Sequence, residues 1–214
     1  LDENNNLVET ELDLLVISEK ANYIIEIKAG GLSAPSKRGA LKSLTGQLSE
    51  TVGYGAYQSH RAYKYIIEND NNSFYDKQGK LINVDNTKKT FRITVTLEHL
   101  SGFISNLHEL KELGIVKQDV EFAWNCSLFD LMIFSDILEN EDDFINYLEQ
   151  RIPLFTSPKI RVNDEIDLLG YFLENDKLVD EKLLKRVDDY SLNKSSKEID
   201  EYFEKGGEKP KKKR

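Results

Sequence analysis

Apolar and polar positions alternate from Glu11 to Ile17, with Leu12, Leu14 and Val16 on one side and Glu11, Asp13, Leu15 and Ile17 on the other. A period of two marks an extended strand. Tyr23 to Ala29, YIIEIKA, is nearly continuous in apolar residues and reads as a second strand within a covered sheet. SEKAN, residues 18–22, is a turn by composition, so the two runs are expected to form a hairpin. GGLSAPSKRG, residues 30–39, reads as a loop.

The period then changes. Leu41, Leu44, Leu48, Val52, Ala56, Tyr63 and Ile66 recur at mostly helical spacing and predict one long helix over 40–69. A second stripe runs beside it: Gln47, Glu50, Tyr54, Gln58, Arg61 and Tyr65. Gly53 and Gly55 each cost a helix roughly 1 kcal/mol against Ala, which points to close packing or a kink. The polar insert 69–89 suggests a short hairpin around Gln78–Gly79, and Thr90 to Glu98 alternates as a strand. A helix over 103–114 and a last short strand at Val120–Trp124 complete this half. After Ser127, an N-cap candidate, three apolar-faced helices follow: LFDLMIFSDIL, DDFINYLEQRI and EIDLLGYFLEN. Residues 180–205 are charged and weakly periodic. The expected organisation is an α/β core over 1–125, a helical region over 126–205 and a disordered basic tail over 206–214.

Composition narrows the function. A formal net charge of −9 argues against an all-over coat for nucleic acid, though not against a local cationic site. Cys126 is the only cysteine, so no intrachain disulfide forms and a reducing, cytoplasmic setting fits best. No apolar run approaches the roughly 18 residues of a membrane span. The chain opens on Leu1 and enters a strand pattern almost at once, from which we expect a larger parent chain. The basic end KPKKKR, residues 209–214, is read as a solvated charge run rather than an import or polyanion-binding signal.

Within the second strand Ile24, Glu26 and Lys28 share one side, and a buried strand places charge there only for a reason. Pairing around SEKAN can bring Asp13 beside Glu26. Two carboxylates and a nearby carbonyl are hard oxygen ligands suited to Mg2+ or Mn2+, with Lys28 within reach of a bound water or a phosphate. The plainer alternative is an ordinary buried ion pair. A second Glu-x-Lys, Glu109 to Lys111, lies in a helical pattern where the two do not share a face. His60, His99 and His108 lack ligand spacing, and GYGAYQ, residues 53–58, lacks the G-K-S/T of a phosphate loop.

Asp13, twelve residues, then Glu26-x-Lys28 resembles the PD-(D/E)xK nuclease signature, over about residues 9–66. AGGLSAPSKRGA, WNCSLFDLMIFSDIL and FINYLEQR resemble an uncharacterised bacterial branch of that superfamily. The resemblance implies a restriction-endonuclease-like mixed sheet flanked by helices and metal-dependent cleavage of DNA. It implies metal ligation by Asp13, Glu26 and the Ile27 carbonyl, with Lys28 and Gln58 completing the catalytic set and Gln47 a second match to Gln58. Lys37, Arg38, Gln47 and Arg61 are candidates for substrate contact. Gln58 and Arg61 read equally as the exposed border of a helix, and Lys37 and Arg38 as solvent-facing loop charges. Homodimers are common in the superfamily. Leu12 stands where many members have Pro, and the helix that usually precedes the first strand is missing or lies upstream of Leu1. A catalytically inactive nuclease-like module is the alternative function.

Overall fold

The computed structural model describes residues 10–100, 102, 107–154, 159–162, 164–178, 190–192 and 195–213. The polar start at 1–6, the first turn of the helix expected from 103, and residues 180–189 of the charged segment lie outside them.

The expected hairpin forms, but its first strand is shorter than 11–17 and its second begins at Ala21, inside the stretch read as a turn. β1 (Leu14–Ile17) runs antiparallel to β2 (Ala21–Lys28). A loop with a short helix, α1 (Ala34–Lys37), leads into α2 (Leu41–Leu48). The single helix expected over 40–69 is instead two, α2 and α3 (Tyr54–Glu68), joined through a π turn at Ser49–Gly53. The reason is steric. A Cβ on Gly53 would lie 2.2 Å from the backbone oxygen of Ile115, so the chain passes that loop closer than any other residue allows. The apolar stripe continues through the widened turn, which is why periodicity alone did not reveal it.

The small hairpin β3 (Phe74–Tyr75) and β4 (Leu81–Ile82) turns through Gly79 at φ +77°. β5 (Lys89–Thr96) then pairs in parallel with β2, and β6 (Trp124–Ser127) in parallel with β5, after the intervening α4 (Leu107–Glu112). The sheet order is β1-β2-β5-β6, a mixed sheet flanked by helices. The last strand falls at 124–127 rather than at 120–124.

The two faces of this sheet differ in chemistry. Tyr23, Phe91, Ile93, Trp124 and Cys126 face the C-terminal half and are all buried. α5 (Leu128–Ile137) starts from β6 through the expected Ser127 cap, with Ser127 and Asp130 closing a capping box. It packs with α6 (Glu141–Leu154) and α7 (Glu165–Asn175). Trp124 meets Phe134, Phe144 and Tyr147 at ring separations of 5.0, 5.6 and 6.1 Å. Buried Glu165 ties these elements together, accepting from Trp124 Nε1, Tyr147 Oη and Arg151. The opposite face lies under α3 and is polar: Asn22, Glu26, Arg92, Thr94 and Asn125 are each 5% exposed or less.

β7 (Ile160–Val162) and β8 (Tyr190–Leu192) form a small parallel pair, and α8 (Lys197–Lys205) precedes the basic end. That end was expected to be disordered, but Pro210 is buried and Lys212 and Lys213 are tied to the helical half. The Lys212 ammonium lies 2.8 Å from Asp143 and 2.5 Å from Asp176, and the Lys213 N–H donates to the Leu173 carbonyl. Two carboxylates and an open helix-end carbonyl fix a segment that composition alone assigned to solvent. Among the described residues no helix is long and apolar enough to cross a membrane.

Gly53→Ala is expected to destabilise the fold by about 1–3 kcal/mol despite the better helix propensity of Ala. Urea unfolding checks this, and an unchanged or raised midpoint would contradict the close approach to Ile115.

Candidate active site

β1 pairs with β2 so that Leu14 faces Ile25, and the same register carried one step sets Asp13 opposite Glu26. β1 has ended at that point, so the Asp13 side chain takes the place of a strand backbone. Its Oδ2 accepts the Ile27 N–H at 2.8 Å. The N–H and C=O of one residue leave an extended strand on the same side, so the Ile27 carbonyl also points past the end of β1. Lys28 turns its backbone the other way, and its carbonyl accepts the Leu97 N–H beside β5.

Glu26 and Lys28 stand on the α3 side of the sheet. The Lys28 ammonium donates to Glu26 Oε2 at 3.0 Å and to Gln58 Oε1 at 2.5 Å, and lies 3.7 Å from Asp13 Oδ2. Gly55 allows α3 to come this close. A Cβ there would sit 2.7 Å from the Thr94 methyl and 3.2 Å from Lys28 Cε. The Tyr54 ring leans over the same ammonium, 5.5 Å away.

Glu26 is 1% exposed, and burial pushes its carboxyl above the usual range; Lys28 pulls it back and Asp13 pushes it further up. Its second oxygen, Oε1, has no protein hydrogen-bond partner. Thr94, in register beside Glu26, and Asn125, in register beside Thr94, also present buried oxygens without one. An unmet buried polar atom costs about 1–3 kcal/mol, so such atoms are kept where a ligand, ion or water meets them.

The donor set suits a small divalent cation. Asp13, Glu26 and the Ile27 carbonyl offer only oxygen, and the unpartnered Glu26 Oε1 is open to ligation. Among the described residues no group of three or more His, Cys, Asp or Glu side chains is placed to hold a metal, so the set is two carboxylates with one backbone carbonyl.

The remaining candidates fall in different places. Gln58 reaches the carboxylates through Lys28. Gln47 does not, because its Oε1 is taken by the Ser33 N–H and the Ser36 hydroxyl, fixing the loop after β2 to α2. Lys37 is held 2.5 Å from Glu98, whose other oxygen accepts the Leu32 N–H. Arg38 caps α1 and is exposed. Arg61 lies along the rim, donating to the Thr10 hydroxyl with its guanidinium 5.7 Å from the Tyr57 ring. Sequence reasoning passed over Thr94, Asn125 and Tyr54. The available signal for Thr94 was the polar series Thr90, Arg92, Thr94, Thr96 in a strand long enough to be central.

The site therefore sits in an α/β protein of one mixed sheet flanked by helices, with a helical C-terminal region. No family model, no curated protein and no solved structure matches the chain.

The Lys37 ammonium, and after it the Leu32 N–H, hold the Glu98 carboxyl below its usual range. A carboxyl held down contributes stability that is present above its unfolded pKa and lost as pH falls through the lowered one. Amides of the loop at 30–39 are expected to lose hydrogen-exchange protection as pH drops below about 4.3, the ordinary glutamate value. Glu98→Gln should show that loss at neutral pH. Unaltered protection in both cases would contradict the clip.

Proposed function

We propose that the chain is a divalent-metal-dependent nuclease that hydrolyses phosphodiester bonds in DNA. One observation carries the reading: Asp13 just before β1, Glu26 and Lys28 on β2 and Gln58 on α3 converge where one carboxylate oxygen is left for a ligand. These are the residues that the resemblance to PD-(D/E)xK nucleases singles out.

Asp13, Glu26 and the Ile27 carbonyl would hold Mg2+ or Mn2+. Such an ion, when bound, would supply Lewis-acid polarisation of a phosphate and a more acidic water. Lys28 supplies a fixed positive charge where negative charge develops on the phosphate oxygens. Gln58 keeps that ammonium aimed by accepting a hydrogen bond from it, and Glu26 accepts another. With Gly55 packed against Thr94, α3 shields Glu26 from bulk water, which strengthens each of these interactions. Lys37 and Arg38 lie on the loop that leaves the site and can meet the substrate backbone, Lys37 after release from Glu98.

A second reading has its own support. Lys28 already neutralises Glu26 and lies 3.7 Å from Asp13, so the three charges can also serve as a buried ion cluster in a binding module that has lost its chemistry.

Supercoiled plasmid and single-stranded circular DNA incubated with the protein and Mg2+ or Mn2+ distinguish the two. Cleavage that EDTA stops and Lys28→Ala slows by about 100-fold or more is the expected result. Both DNAs intact with the unaltered chain, or cleavage indifferent to Lys28→Ala, would overturn the nuclease reading.

A further inference from the structure

The stripe that runs along α3 beside the site is only partly used by the chemistry above. Tyr54, Gln58, Arg61 and Tyr65 follow i, i+4, i+7 and i+11, so they form one line on the helix. Gln58 turns to Lys28. Tyr54 and Tyr65 are instead left 53% and 40% exposed. Tyr57, one turn on, stacks beside Tyr54 with ring centroids 6.4 Å apart and planes 30° apart.

Cations accompany these rings. Lys28 lies 5.5 Å from the Tyr54 ring, while Arg61 and Lys117 lie 5.7 and 4.5 Å from that of Tyr57. Lys64 is exposed on the same helix. The chain as a whole carries −9, yet Lys28, Arg61, Lys64 and Lys117 gather along this edge, with the exposed Glu50 one turn before Tyr54. Exposed rings interleaved with cations suit one polymer in particular. A nucleic-acid strand presents a π-face and an anionic phosphate at every residue, and it binds such edges by stacking and charge together.

The base must be free to stack. In a duplex both faces of each base are covered by its neighbours, so a ring standing beside the scissile position meets only an unpaired one. Tyr54 leans over the same ammonium that would face the phosphate, so a base on this ring brings its own phosphate toward Lys28.

We propose that Tyr54, backed by Tyr57, Arg61 and Lys117, is a stacking platform for the unpaired base next to the bond cut, which makes single-stranded DNA the substrate. The proposal rests on the nuclease reading for its chemistry, and its binding step can be measured apart from it.

Fluorescence anisotropy in EDTA, with labelled oligo(dT) and a blunt duplex of the same length, reads binding without cleavage. The full chain is expected to bind oligo(dT) more tightly than the duplex. Tyr54→Ala should weaken oligo(dT) binding by about 10- to 100-fold, with duplex binding little changed. Tyr54→Phe, which keeps the ring, should restore it, and this separates lost stacking from a damaged fold. Tyr54→Ala with unaltered oligo(dT) affinity, or a native preference for duplex, would overturn the platform. Tyr54-dependent strand binding without Mg2+-dependent cleavage of single-stranded DNA would retain the platform and remove the nuclease reading. Lys28-dependent cleavage with Tyr54-independent binding would do the reverse.

Discussion

One ammonium group holds the site together. Glu26 is almost wholly buried, and a carboxylate in that position is tolerated only when its charge is met. Lys28 meets it from two residues along the same strand, and Gln58 and Asp13 complete the surroundings of the amine. Removing one partner of such a pair typically costs about 3–5 kcal/mol, so the cluster is also a structural commitment. Asp13 stands where β1 stops, and Gly55 lets α3 close over Thr94.

The two faces of the sheet are built for different ends. Its apolar face, with Trp124, Phe134, Phe144 and Tyr147 clustered around it, anchors the helical half, and Glu165 fastens that half through three side chains. Its polar face carries the charged pair and the row of oxygens from Glu26 through Thr94 to Asn125. A row of unmet buried oxygens is a local violation of good packing. Folds retain such violations where function requires them.

Much of this was legible in the chain. Alternation fixed β1 and β2, and the turn between them fixed which carboxylates meet, so Asp13, Glu26 and Lys28 followed from period two and one hairpin. Gln58 was marked only by the resemblance, since helical spacing reads it equally as an exposed border. Other features lay outside those periodicities. The break at 49–53 preserves the apolar stripe, and only the two glycines marked it. β6 was displaced because Asn125 and Ser127 look like loop residues, yet they face the polar side of the sheet and are fully buried there. The basic end was misread because its partners, Asp143 and Asp176, lie far away in sequence.

The central claim is that Asp13, Glu26 and the Ile27 carbonyl form a metal site beside Lys28 rather than a self-neutralised ion cluster. Mn2+ titration followed by electron paramagnetic resonance tests it directly on the intact protein and on Asp13→Asn and Glu26→Gln. Saturable Mn2+ binding that both substitutions weaken is the predicted result. No bound Mn2+, or binding that neither substitution alters, would contradict the account.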